Sequence, residues 1–275
     1  MLLEEIKFKS KKLLFLNIFG ENSTKDLGSG MEYEGSREYT TNDDIRHLNW
    51  RQMAKGSGAT VKVYSEQKQL NIVLVYLISG SLNFGKPTKK DIAIESLTAL
   101  SFASLKSQNR LNIIKISKDS HLYKSYPINS EVTNEIYKDL KNTLASGKVA
   151  SSKDIIEYIE ANIKSKSIIF FIGDFLEYLD ISKLSYRHEI YAIILRDIAE
   201  EELEFSGEYN VLDSNSSNSK IINIDSKLKQ EYKKHILQLD KSLKEQFTKH
   251  NIGFTKIYTN NNPIDKIARM LKYYE

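Results

Sequence analysis

The run NIVLVYLI at 71–78 constrains this chain more than any other stretch. It is too continuously apolar for a strand with one wet face, and so predicts a central strand covered by helices on both sides. From Ile72 to Ile78 it falls far short of the roughly 20 residues that a membrane helix needs. Further core strands are predicted at Leu111–Ile116, at SIIFFIGD ending on Asp174, at Ile190–Leu195 and at Gly253–Tyr258. Between them the period becomes helical. Ile92, Ile94, Leu97, Leu100 and Ala103 recur at helical intervals through 90–105, and similar patterns fill 132–144, 154–163, 227–249 and 263–274. A short strand at 122–126 and a small hairpin at 206–224 complete the list. The alternation predicts an α/β fold, a three-layer sandwich with a mainly parallel sheet.

Ahead of this domain, which the sequence places at 70–275, lies a different kind of segment at 1–69. Leu3, Ile6, Leu13, Leu14 and Leu16 suggest an amphipathic helix over 2–18, followed by a polar loop at 21–30. The string GSREYTTNDDIRHLNWRQMAK then sets Arg37, Arg46 and Arg51 among Glu38, Asp43 and Asp44. Guanidinium forks hold carboxylates in fixed geometry, so this pattern suits a loop tied down by bidentate bonds. Tyr39, Leu48 and Trp50, the only tryptophan, are its expected apolar anchors. The segment reads either as framework or as a surface that also receives a partner. Alternation through 59–66 predicts a half-buried strand.

Several function classes drop out. With no cysteine there are no disulfides, no thiolate catalysis and no Cys-built metal centres. Forty basic residues against 36 acidic ones give a charge of only +4, which makes no case for nucleic acid. The first twenty residues mix charges into their apolar positions, unlike a signal peptide, and the expected location is cytoplasmic. No GxGxxG follows the first strand and no GxxxxGK[ST] occurs, which weakens dinucleotide and P-loop readings. His47 is a lone histidine without a second metal ligand in spacing.

In open parallel sheets, ligands bind beyond the carboxyl ends of the strands. Ser79, Ser81, Asp174 and Asp197 each follow an apolar run, so they are candidates to share one rim. Hydroxyls and a carboxylate are hard ligands that suit Mg²⁺ or Ca²⁺. The same residues also allow a bland reading, in which the serines cap a turn. Asp174 and Asp197 together would be the carboxylates of a metal-dependent hydrolase, whereas ISGSL lacks the elbow of a serine hydrolase. Ser151 or Ser152 is placed to cap the helix at 154–163.

The residues Gly28 to Glu32, Arg37, Glu38, Tyr39, Asp43, Asp44, Arg46, Trp50, Ala54, Lys62 and Glu66, followed by the SGSL strand end, resemble the bacterial domain-of-unknown-function family 58. The resemblance continues through GDF at 173–175 and LRDIAEEEL at 195–203. It implies a von Willebrand factor A-like, Rossmann-like domain with an added N-terminal loop and strand module. It also implies a metal-ion-dependent adhesion site whose DxSxS motif falls on Leu77, Ser79 and Ser81, with Asp174 as the later aspartate. Ser151 or Ser152 would stand near that site's threonine. Leu77 replaces the leading aspartate, so the implied site is degenerate, with no obligatory cofactor and at most weak Mg²⁺ or Ca²⁺ binding. By resemblance the chain is a non-catalytic interaction or adaptor module working beside a MoxR-type AAA+ ATPase. The metal-dependent hydrolase and a purely structural subunit stand as alternatives.

Overall fold

The computed structural model describes residues 3–17, 23–24, 31–41, 43–56, 58–67, 69–203, 207–212 and 219–274. In chain order the elements are α1 (Leu3–Asn17), β1 (Ser23–Thr24), β2 (Met31–Glu38), α2 (Trp50–Met53), β3 (Thr60–Gln67) and β4 (Asn71–Leu77). Next come α3 (Lys89–Lys106), β5 (Arg110–Ile116), β6 (His121–Tyr126), α4 (Thr133–Asn142), α5 (Ser152–Asn162), β7 (Ile168–Gly173) and β8 (Glu189–Arg196). The chain continues through α6 (Ile198–Glu202), β9 (Gly207–Leu212), β10 (Ser219–Ile224), α7 (Ser226–Lys249), β11 (Gly253–Tyr258) and α8 (Pro263–Tyr274). Two compact units form: residues 1–18 with 70–275, and residues 19–69. Helix α1 therefore goes with the larger unit rather than with the polar module beside it in sequence, packing on α3 and α8.

The larger unit is an α/β sandwich on a mixed six-stranded sheet of order β11-β8-β7-β4-β5-β6. Five strands run parallel, and only the edge strand β6 is antiparallel to its neighbour. Because side chains alternate along a strand, β4 feeds two cores. Val73, Val75 and Leu77 pack with Ile155 and Ile159 of α5 and Leu239, Leu243 and Phe247 of α7. The alternate residues Ile72, Leu74 and Tyr76 are equally buried, on the face that carries α3. That helix lies between the sheet and α1, α4 and α8, so it is buried on nearly every side. Ser96, Ser101 and Ser104 fit this setting by donating back to the carbonyls of Ile92, Leu97 and Leu100 at 2.7–2.8 Å. β9 and β10 pair as an antiparallel hairpin whose turn lies outside the described residues.

In the smaller unit β1, β3 and β2 form an antiparallel sheet, with a register shift between Tyr33 and Gly35. In β2 the alternation of Met31 and Tyr33 with Glu32 and Glu34 stops at Gly35, and Ser36, Arg37 and Glu38 continue it without an apolar residue, so the strand carries only a short pattern.

Where the strand core meets the rim, Leu77 is 2% exposed and packs with Ala150 and Phe175. A Cβ built on Gly173 would lie 2.7 Å from Leu77 Cβ, so the glycine is there to admit the leucine. Gly173→Ala is expected to cost about 1–3 kcal/mol in urea unfolding through overpacking. Leu77→Gly, which removes the Cβ in the way, should cost less in the Gly173→Ala background than in the unsubstituted protein, because the two changes share one space. Strictly additive costs would show that the two positions do not compete for it.

Candidate functional site

Strands β4 and β7 are parallel neighbours, so their carboxyl ends reach the same rim. Ser79 and Ser81 leave β4 in a 3-10 turn over Gly80–Asn83, and Asp174 follows β7 directly. The Ser79 hydroxyl donates to Asp174 Oδ2 at 3.0 Å and lies 2.8 Å from the Ser81 hydroxyl, which donates to the same oxygen. The three side chains thus meet, and Asp174 is only 2% exposed.

A fourth group was not apparent from sequence. Lys89 is the first residue of α3, its N-terminus fixed by a Thr88–Asp91 capping box. The Lys89 side chain is fully buried; its Nζ donates to Glu200 Oε1 at 2.7 Å and Oε2 at 2.6 Å, and lies 3.7 Å from Asp174 Oδ2. Lysine is rarely buried unless paired, and the first turn of a helix is its least favourable end electrostatically. The carboxylates of Asp174 and Glu200 offset both costs. Burial pushes the Glu200 carboxyl above its ordinary range, and Lys89 draws it partly back. The Tyr76 hydroxyl, buried without a hydrogen-bond partner among the described residues, is pushed up by burial and by Asp174.

Asp197 has other partners. It caps α6 by accepting from Ala199 N at 2.9 Å, and takes the Thr259 hydroxyl at 2.5 Å. Gly85, at φ +95°, closes over it, since a Cβ there would lie 2.7 Å from Asp197 Oδ2. Behind the rim, Arg196 is fully buried and donates from Nη2 to Phe175 O and to Asp240 Oδ1, both at 3.1 Å. Lys256 joins Asp240 at 2.5 Å and Glu201 at 2.7 Å. Ser151 caps α5 through Asp154 N at 3.2 Å, while the Ser152 hydroxyl accepts from Asp180 N at 2.9 Å.

In the polar module, Arg37 forks onto Asp43, with Nη1 to Oδ2 at 2.7 Å and Nη2 on the other oxygen. Thr40 adds its N–H at 2.9 Å and its hydroxyl at 2.8 Å, and these donors hold the Asp43 carboxyl well below the usual carboxylate range. Asp44 caps the 3-10 turn Ile45–His47 through Arg46 N at 3.0 Å and pairs with the Arg46 guanidinium. Tyr39 is half-buried, its N–H bonded to Ala59 O at 2.9 Å. Trp50 is not the anchor that the sequence suggested, being 60% exposed. Buried Asn49 and Val61 hold the segment instead: Asn49 N bonds Thr60 O at 2.8 Å, and Leu48 bridges to Val61. Ile45 is likewise 60% exposed and Met53 36%.

A family model described as "Protein of unknown function DUF58" matches residues 35–241, which spans most of the chain. The chain belongs to this family. The uncharacterized proteins Rv1480 of Mycobacterium tuberculosis and Mb1516 of Mycobacterium bovis are each 24% identical over 222 residues, covering 75% of this chain and 68% of theirs. Among solved structures, the conserved hypothetical protein BatB from Bacteroides thetaiotaomicron is 11% identical, covering 74% of this chain and 98% of that one, at a TM-score of 0.46. An aerotolerance-related membrane protein from Bacteroides fragilis is 12% identical, covering 74% and 99%, at a TM-score of 0.43. Among the described residues of this DUF58 protein no helix is long and apolar enough to cross a membrane.

The adhesion-site metal implied by the family resemblance does not fit these residues. The leading carboxylate is replaced by a buried leucine, both serine hydroxyls donate to Asp174, and an ammonium faces the same carboxylate oxygen. Among the described residues no group of three or more Asp, Glu or His side chains is arranged to hold a metal.

Arg196→Met is expected to destabilise the DUF58 fold by about 3–5 kcal/mol in chemical denaturation, because Asp240 and Glu201 lose a buried cation. A change below about 1 kcal/mol would mean that Lys256 alone neutralises them. Glu200 also carries a pH signature. Its folded pKa is raised, so its contribution to stability is complete below the ordinary glutamate range and is lost as pH rises through the raised value. Glu200→Gln should flatten that part of the stability profile, and an unchanged slope would assign it to another group.

Proposed function

We propose that this chain is a non-catalytic interaction module that receives a protein partner, and that the family resemblance makes a MoxR-type AAA+ ATPase the first partner to test. The observation that carries the reading is the exposed apolar set on the module. Trp50 and Met53 stand one helical turn apart on α2, five and eight residues beyond exposed Ile45, with exposed Arg51 and Lys55 beside them. Tryptophan and arginine are the residues most enriched at binding hot spots. The segment that bears them is stiffened by the Arg37–Asp43 fork and by the Asn49 cap, which lowers the cost of ordering it on binding. Basic side chains around an apolar centre suit a partner with an acidic rim.

The hydrolase alternative needs Asp174 and Asp197 to act on one substrate. Asp174 is engaged by two hydroxyls and faces Lys89, and Asp197 is engaged by Thr259 and by the cap of α6. Neither supports a general acid or base poised toward solvent.

Trp50→Ala should leave thermal stability within about 0.5 kcal/mol, as an exposed position allows. Its affinity for the MoxR-type ATPase of the same cell, titrated with purified proteins, should fall by about 2 kcal/mol or more. Equal affinity of the variant and the unsubstituted protein would remove this segment from the interface.

A further inference from the structure

We propose that the ammonium of Lys89 is the resident cation of the rim, standing where a divalent ion would otherwise be held, so that the strand-end site is metal-free and closed by the chain itself. This goes beyond the partner-binding reading and does not rest on it.

The geometry carries the inference. Asp174 directly follows β7 and Glu200 sits in α6, the helix that follows the neighbouring parallel strand β8, and both carboxylates meet one ammonium that has no exposure to solvent. The ammonium donates to both oxygens of Glu200 at 2.6–2.7 Å, and Asp174 Oδ2 lies 3.7 Å from it. Ser79 and Ser81 donate to that same Asp174 oxygen, so three groups of the chain itself converge on it. The charge arithmetic points the same way. Two carboxylates and one ammonium leave a net charge of −1, half of what a dication would neutralise, and the ammonium itself repels a dication placed beside it. Removing the ammonium leaves two carboxylates and two hydroxyls with a net charge of −2, a hard-oxygen set that a divalent ion neutralises. The helix position reinforces this, because a lysine placed at the first turn of α3 works against the helix dipole and gains nothing locally. Its reward comes only from carboxylates 85 and 111 residues further along the chain.

The test uses the full chain and Mn²⁺ alone as the probe. In calorimetry and thermal melting the unsubstituted protein should show no saturable Mn²⁺ binding at the rim and no shift with Mn²⁺ or with a chelator. Lys89→Ala should bind Mn²⁺ at least about tenfold more tightly, because the nearby positive charge has gone. That gain should vanish in Lys89→Ala combined with Asp174→Asn. Should Lys89→Ala be unfolded alone, refolding by Mn²⁺ is the same result. The second readout does not depend on that variant: nitrogen-15 NMR of the unsubstituted protein should show a slowly exchanging lysine ammonium that is absent in Lys89→Arg and shifted in Asp174→Asn. Asp174-dependent Mn²⁺ binding by the unsubstituted protein, a folded Lys89→Ala that takes up no Mn²⁺, or the lack of a protected ammonium signal would each overturn the proposal.

Discussion

A buried ammonium holding one carboxylate from a strand end and one from the following helix sets the character of the carboxyl rim. Lys89 reaches Glu200 and Asp174 from the start of α3, so α3, the end of β7 and α6 converge on one buried cation. Ion clusters of this kind are costly to assemble and costlier to leave half-paired, which makes them specifiers of geometry more than sources of net stability. Arg196 repeats the arrangement one layer behind, between Glu201 and Asp240, with Lys256 as its second cation. The rim is therefore occupied by its own charges.

That occupancy separates the chemistry of the two units. In the larger one Ser79, Ser81, Asp174, Lys89 and Glu200 are engaged with one another, and Asp197 is held by Thr259 and by the start of α6. In the smaller one the charges build a frame, Arg37 on Asp43 and Asp44 on the 3-10 turn, and the frame leaves Ile45, Trp50 and Met53 to water.

The sequence was most legible where burial was two-sided. The runs at 72–78, 168–173 and 190–195 could be read as central strands because nothing polar interrupts them, and β11 and α8 fall at Gly253–Tyr258 and Pro263–Tyr274 as their patterns indicated. The strand-end rule offers Ser79, Ser81, Asp174 and Asp197 for one rim; the first three meet, while Asp197 bonds Thr259 and caps α6. Lys89 was invisible for a physical reason: at the start of an amphipathic pattern a lysine reads as a solvated face, and its partners lie far along the chain. Trp50 misled in the opposite sense, since a lone tryptophan is expected in a core and only the fold shows it facing water. Strand β2 is faint in the sequence because its apolar alternation ends at Tyr33, where the register with β3 shifts.

The rim holds an ammonium where the family resemblance places a metal. The most direct measurement is an anomalous difference map from a crystal of the unsubstituted protein soaked in Mn²⁺. The account predicts no anomalous peak within ligand distance of Ser79, Ser81 and Asp174, with density for the Lys89 side chain ending between Asp174 and Glu200. A manganese peak bound by those three residues, with Lys89 turned away from them, would contradict it.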